Sequence, residues 1–269
     1  MVYFVATPIG NLSEITFRAI EVLKEVDIIF CEDTRHSIKL LNHYEIKKTL
    51  QSCHKFNEKF AADKIVAAVQ EGKKVAVLSD AGMPSICDPG FCIVQELQKN
   101  GIEYTVISGA CAFVNALVLS GFFTMQFTFM GFLRGNTKEK KALLTQYKNS
   151  LATLIFYSAP HDVDSDIKLL YEILGDRKAC AVREISKMHE SIEHFNLSSG
   201  LATAKKGEYV LLVEGATEIE NPLNSLTEIE HINYYIKSGM DKKAALKQVA
   251  QDRGVPKNTL YKFSIENKD

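Results

Sequence analysis

Apolar positions along this chain fall into short solid runs, separated by longer stretches with helical spacing. Residues 2–6, 28–31 and 75–78 are such runs, and they predict strands over 2–6, 27–31 and 74–78. Val75-Ala76-Val77-Leu78 reads as a buried strand, because it presents no polar face. Between the first two runs, Ile15, Ala19, Val22 and Leu23 form the inner face of a helix that Ser13 is expected to cap and that runs to about Lys24. The pattern predicts further helices after Thr34 to about Tyr44, from Asn57 to near Gly72, and over about 90–99. A strand over 102–107 and an apolar helix ending near Ser120 follow. The alternation then recurs: strand 126–130, helix 137–149, strand 152–157, helix 162–173, strand 178–183. Residues 188–195 alternate and, with 209–213, read as antiparallel strands. Strands alternating with helices predict an α/β fold with a mostly parallel sheet. The expected units are an α/β domain at 1–118, a second α/β domain at 119–220, and a small helical tail at 221–269.

Size and charge narrow this picture. A chain of 269 residues favours two compact domains over one. The net charge of −1 excludes a global basic field, but the charge is unevenly placed. Residues 214–230 carry Glu214, Glu218, Glu220, Glu228 and Glu230 with no Lys or Arg, whereas 231–269 hold eight Lys or Arg against four acids. None of the six cysteines forms a Cys-x-x-Cys pair, so reduced thiols are expected and a zinc site is not. The start lacks a basic n-region and reads as a first strand. The longest apolar stretch, 110–123, contains Asn115 and is too short to span a bilayer. A soluble, cytoplasmic protein is expected.

Residues 79–90 hold two Pro, two Gly and two Asp directly after a buried strand. That composition makes a shaped loop, suited to a nucleotide-like ligand or simply to a crossover. Loop 7–12 has one Gly, too few for a dinucleotide fingerprint or a phosphate loop. Glu32-Asp33-Thr34-Arg35 ends another strand; Asp33 either faces a ligand or caps the following helix. Arg183-Glu184-Ile185-Ser186-Lys187 ends a third and is either a polyanion-positioning cluster or a solvated ion-pair face. In the tail, Ala245, Leu246, Val249 and Ala250 share one helical face, Gly254 turns, and Pro256 opens a second helix with Leu260 packing back. That is a helix-turn-helix pattern with lysines suited to phosphates, or a purely structural helix pair.

Residues 5–16, 31–37, 79–90, 181–190 and 206–215 resemble, in order and spacing, the bacterial 16S ribosomal RNA (cytidine-2'-O)-methyltransferases, which have the tetrapyrrole-methylase-like fold. The resemblance implies two α/β domains with S-adenosyl-L-methionine in the cleft between them, a homodimer, and small-subunit ribosomal RNA as substrate. It implies cofactor contacts at Pro8, Asp80, Ala81, Gly82, Ser85, Ile86, Ser108, Gly109, Phe156 and Tyr157. Around the substrate it implies Glu32, Asp33, Arg35, Arg183, Glu184 and Lys187, with Glu184 and Asp33 as the expected proton acceptors. Met83 stands where the family usually has Thr, and Ser158-Ala159-Pro160-His161-Asp162 replaces Glu-Ser-Pro-His-Arg. Two rival readings stay open: a methyltransferase of tetrapyrrole or corrin small molecules, and a non-catalytic RNA-binding relic.

Overall fold

Two five-stranded sheets organise the molecule. The computed structural model describes residues 1–202, 206–217, 222–256 and 258–260. The first sheet contains β1 (Val2–Val5), β2 (Ile28–Cys31), β3 (Thr49–Ser52), β4 (Val75–Leu78) and β5 (Tyr104–Ile107). Its order is β3-β2-β4-β1-β5, and every pairing is parallel. β4 is buried at all its positions, which is why its sequence is unbroken Val, Ala and Leu. Leu78 stands beside both Val5 and Cys31, and Val5 beside Ile107, so the carboxyl ends are flush. The loops that follow therefore leave from one edge.

Helices α1 (Phe17–Glu25) and α2 (Thr34–His43) pack on one face, through Leu23 and Leu41. Helices α3 (Glu58–Gln70) and α4 (Phe91–Lys99) pack on the other, through Ile65, Ile93 and Leu97. β1 and β4 are neighbours whose following helices go to opposite faces. Their loops therefore part, and a crevice opens between them. Three local expectations need correction. Thr16, not Ser13, caps α1, its side chain accepting from the Ala19 N–H. Asn57 makes no cap bond; its side chain accepts from the His54 N–H instead. β3 was not expected, since Thr49-Leu50-Gln51-Ser52 at the sheet edge lacks a solid apolar run.

The second sheet contains β6 (Phe127–Phe132), β7 (Thr153–Ser158), β8 (Lys178–Arg183), β9 (Ser191–Asn196) and β10 (Tyr209–Val213), in the order β6-β7-β10-β8-β9. Only β6 and β7 run parallel; the other pairings are antiparallel, as the alternating runs predict. Helices α6 (Thr137–Thr145) and α7 (Val163–Leu174) cover one face, through Leu144 and Leu170. The other face is covered by α5 (Ala112–Ser120), whose Ala116 and Leu117 meet Ile155, Val182 and Leu212. Ile9, from the loop after β1, joins this same cluster. Each fully buried Leu or Ile contributes about 1.5–3 kcal/mol, so this shared cluster ties the two sheets together. One compact unit accordingly holds both, Met1–Lys148 with Ala152–Gly215.

The other unit is Asn149–Leu151 with the chain from Ala216 onward. Its α8 (Glu228–Lys237) starts within the stretch expected to be a polar linker, at a capping box between Thr227 and Glu230. Asp241 caps α9 (Lys242–Asp252), Gly254 turns at φ +63°, and Leu260 packs back on Ile232, Leu246 and Val249. Lys257, Tyr261 and Lys262 lie outside the described residues.

Candidate active site

Loops 7–12 and 79–90 are locked together by their backbones. The Thr7 N–H donates to the Gly82 carbonyl (2.9 Å), and the Gly82 N–H donates back to Thr7 (3.1 Å). The Ser79 hydroxyl adds a bond to the Gly82 carbonyl at 2.9 Å. Gly82 has φ +77°, and a Cβ there would stand 3.2 Å from Ile9. Only glycine gives this turn and this closeness together.

A cavity of about 400 Å³ lies against this junction. Asp80, Ala81, Gly82, Met83, Ile86 and Asp88 line it from the loop, with Ile9 beside them. Tyr157–Pro160, Ile185, Lys187 and Glu208 line it from the second sheet. Of the residues expected to touch a cofactor, Asp80, Ala81, Gly82, Ile86 and Tyr157 are on the wall. Others sit elsewhere. Ser85 turns back on Gly90, where a Cβ would overlap its hydroxyl. Phe156 is buried in the core beneath α7. Gly109 passes so close to Ala6 that a Cβ would lie 2.8 Å from the alanine methyl; neither it nor Ser108 lines the cavity. Pro8 lines a smaller cavity of about 170 Å³ with Thr7, His36 and Lys39, which Asp80 also borders.

Charge differs sharply around the cavity. On the first-sheet side, Glu32, Asp80 and Asp88 converge. Burial pushes the Glu32 carboxyl up, and the nearby Asp88, Asp80 and Asp33 add to it. Burial also pushes Asp88 up, Asp80 adds to it, and Arg134 only partly offsets the effect. Asp80 Oδ1 accepts the Asp33 N–H at 3.1 Å. The Asp33 carboxylate is engaged by Arg35. It caps α2 through the Arg35 N–H (2.8 Å) and chelates the Arg35 guanidinium, with the closest approach at 2.7 Å. Those bonds hold it down to about 2. The Arg35 side chain projects into solvent, 89% exposed.

On the second-sheet side the carboxylate is satisfied. Glu184 and Ser186 have φ +50° and +64°, a strained turn closed by the Lys187 N–H on the Glu184 carbonyl (2.9 Å). Glu184 Oε1 accepts from the Glu208 N–H (2.8 Å) and from Lys187 Nζ (3.0 Å). The Glu208 N–H is the larger cause holding Glu184 below the usual range. Lys187 Nζ also donates to Glu208 Oε2 at 2.9 Å. Burial of the ammonium opposes its charge, but these two carboxylates outweigh that and raise its proton affinity. Arg183 Nε donates to the Ser191 hydroxyl at 3.2 Å and braces the start of the turn. Gly10 presses on the same turn: a Cβ there would stand 2.4 Å from Lys187 Cγ. Sequence reasoning passed over Asp88 and Glu208. The first sits inside the recognised loop, but nothing in its spacing marks it as facing the cavity.

The walls fit a ligand that is partly apolar and carries positive charge. Ala81 and Gly82 leave room, Ile9, Ile86 and Ile185 supply apolar surface, and the carboxylates supply negative potential. Among the described residues no group of three or more His, Cys, Asp or Glu is placed to hold a metal ion.

A crevice between a parallel and a mixed sheet places the chain in a known fold class. The sequence model described as Tetrapyrrole (Corrin/Porphyrin) Methylases matches residues 1–199. The solved uroporphyrin-III-C-methyltransferase from Thermus thermophilus has the same fold, with a TM-score of 0.58 at 19% identity over 79% of this chain and 93% of that one. Much closer in sequence is ribosomal RNA small subunit methyltransferase I of Halalkalibacterium halodurans, 43% identical over 96% of this chain and 92% of that protein. The protein of that name in Bacillus subtilis is 41% identical over 97% of this chain and 92% of its own. The chain belongs to the ribosomal RNA small subunit methyltransferase I family, within the tetrapyrrole methylases.

Proposed function

We propose that this protein transfers a methyl group from S-adenosylmethionine to the ribose 2'-hydroxyl of a cytidine in small-subunit ribosomal RNA. The observation that carries the reading is the cavity at the Thr7–Gly82 junction, small-walled and electronegative, in a chain of this family. When bound, S-adenosylmethionine supplies a methyl group on a positively charged sulfur. Asp80, Ala81, Gly82 and Ile86 hold it from the loop, with Tyr157 opposite.

A 2'-hydroxyl is a weak nucleophile and needs a proton acceptor. Asp33 and Glu184 were expected in that role, but each already accepts strong charged bonds. Asp88 is the better acceptor. It lines the cavity, and burial raises its affinity for a proton. The Asp80 carboxylate reinforces that affinity by repulsion. Glu184 then positions Lys187, and Lys187 and Arg35 meet phosphates of the RNA.

The substrate is the assembled small subunit in the cytoplasm, which suits a chain without a global basic field. The exposed Lys242, Lys243 and Lys247 of α9 add phosphate contacts. The protein acts as a homodimer through the apolar outer side of α5 and the loop beyond it. Val118 and Met125 there are 71% and 81% exposed. Incubation of unmodified subunits with labelled S-adenosylmethionine, followed by nucleoside mass spectrometry, tests the reaction. Labelled 2'-O-methylcytidine is expected, and label only elsewhere or nowhere overturns it. Equal rates on free RNA would overturn the subunit reading. A monomeric mass in light scattering would overturn the dimer.

A further inference from the structure

Three phenylalanines stand almost bare in one corner of the first sheet. Phe56, Phe60 and Phe91 are 93%, 62% and 68% exposed. Single exposed rings are common on protein surfaces, but these three sit at the starts of two helices that one carboxylate ties together. Glu58, at the start of α3, accepts the Gly90 N–H (2.7 Å) and the Cys92 N–H (2.9 Å) at the start of α4. It thereby pins Phe91, which lies between those two donors. Phe56 and Phe60 flank Glu58 by two residues on either side. None of the three is needed by the core: α3 buries Ala61, Ala62, Ile65 and Val66, and α4 buries Ile93 and Leu97.

Cations surround the rings. Lys55, Lys59 and Lys64 are exposed, and Lys64 Nζ lies 4.5 Å from the centre of the Phe60 ring. Among the described residues the nearby acids include Glu58, whose carboxylate is occupied by the two N–H groups, Asp63, Glu96, which is paired with Lys99, and Asp88, three residues before Phe91. Flat apolar faces interleaved with lysines suit unstacked bases and their phosphates. The corner also adjoins the cavity. Phe91 follows cavity-lining Asp88 by three residues, which limits their Cα separation to about 11 Å. Phe56 and Phe60 follow β3, which is the opposite edge of the sheet from β5.

We infer that Phe56, Phe60 and Phe91, with Lys55, Lys59 and Lys64, form a platform that stacks unpaired RNA nucleotides flanking the methylated one. The inference rests on the RNA methyltransferase reading and extends it to a second surface.

Alanine variants of the three rings, singly and combined, test it. Affinity is read by fluorescence anisotropy on a labelled single-stranded RNA of about ten nucleotides, and by sedimentation with assembled small subunits. Each ring removed is expected to weaken binding to both by about tenfold. S-adenosylmethionine affinity in calorimetry and the melting temperature should stay unchanged. Tryptophan at the three positions should restore binding and leucine should not. Glutamine at the three lysines should flatten the log–log salt dependence by about two. A triple variant that binds the oligonucleotide as the unaltered chain does overturns the platform. Loss on the subunit alone has the same consequence, since it points to a ribosomal protein instead. An unaltered chain that binds RNA through the rings yet methylates none overturns the functional reading and leaves the platform standing.

Discussion

The two walls of the cavity treat their carboxylates in opposite ways. On the first-sheet side, Asp80 and Asp88 line the cavity with Glu32 near both, and the proton affinities of Glu32 and Asp88 rise. On the second-sheet side, Glu184 stands behind the lining Lys187, its Oε1 accepts a backbone N–H and the lysine ammonium, and its affinity falls. A carboxylate whose proton affinity is raised is suited to take a proton; one held down by a backbone N–H and a lysine is suited to aim its partner. Under the proposed mechanism the difference divides labour: chemistry on the parallel sheet, positioning on the mixed one.

The largest expected effect tests whether the first wall holds the ligand. Gly82→Val puts a branched side chain at φ +77° against Ile9, on the cavity wall itself. S-adenosylmethionine affinity in calorimetry should fall at least a hundredfold, roughly the 3 kcal/mol expected when strain and overpacking coincide. Near-native affinity would remove this loop from the binding site.

The next pair of variants addresses the division directly. Asp88→Asn should lower single-turnover transfer by about 10²–10⁴-fold, the usual span for a lost general base. It should also raise the melting temperature by roughly 2 °C, because repulsion with Glu32 and Asp80 is relieved. In the unaltered enzyme the rate should fall as pH drops through the raised pKa of Asp88, since the base is then protonated. Glu184→Gln should reduce the plateau roughly tenfold by loosening Lys187, yet leave that acid limb in place. If Glu184→Gln abolishes the limb and Asp88→Asn keeps it, the two walls exchange roles.

Smaller effects sharpen the contrast. Gly10→Ala must push the Lys187 turn aside, because its Cβ would stand 2.4 Å from Lys187 Cγ. Transfer should slow severalfold with cofactor affinity unchanged, and equal loss of both would mean that the turn also binds cofactor. Ser158 lines the cavity, but its hydroxyl donates to buried Asp166 at 2.7 Å, and Lys140 sits 3.2 Å from the same carboxylate. Ser158→Ala should cost about 1.5–3 kcal/mol in urea unfolding while leaving cofactor affinity within twofold. A large loss of affinity would give the second wall a binding role of its own.

Legibility in the sequence followed the range of the interactions. Elements with a local signature were readable: β4 from its solid apolar run, β9 from strict alternation, the turn at Gly254 from glycine before proline. Edge strand β3 was not, because Leu50 is its only large apolar residue and β2 supplies the pairing. Ser13 and Thr16 are both good caps, and only the three-dimensional course of the loop chose between them. A shaped loop was legible from its Pro and Gly content, and of the residues that the family resemblance assigned to the cofactor, Asp80, Ala81, Gly82 and Ile86 line the cavity. The state of Glu184 was not, since Glu208 lies 24 residues away. Phe156 and Tyr157 illustrate the same limit: adjacent on a strand, they point to opposite faces, one into the core and one into the cavity.

The reciprocal bonds between Thr7 and Gly82 have a consequence for how this molecule can change. Surface loops ordinarily absorb inserted or deleted residues with little harm. Here the two loops behave as one ladder rung 75 residues apart, so a residue added between β1 and Thr7, or between β4 and Gly82, slides one chain past the other and carries Asp80 out of the cavity. Length variation among homologues should therefore avoid both spans and accumulate at the opposite, amino-terminal edge of the sheet.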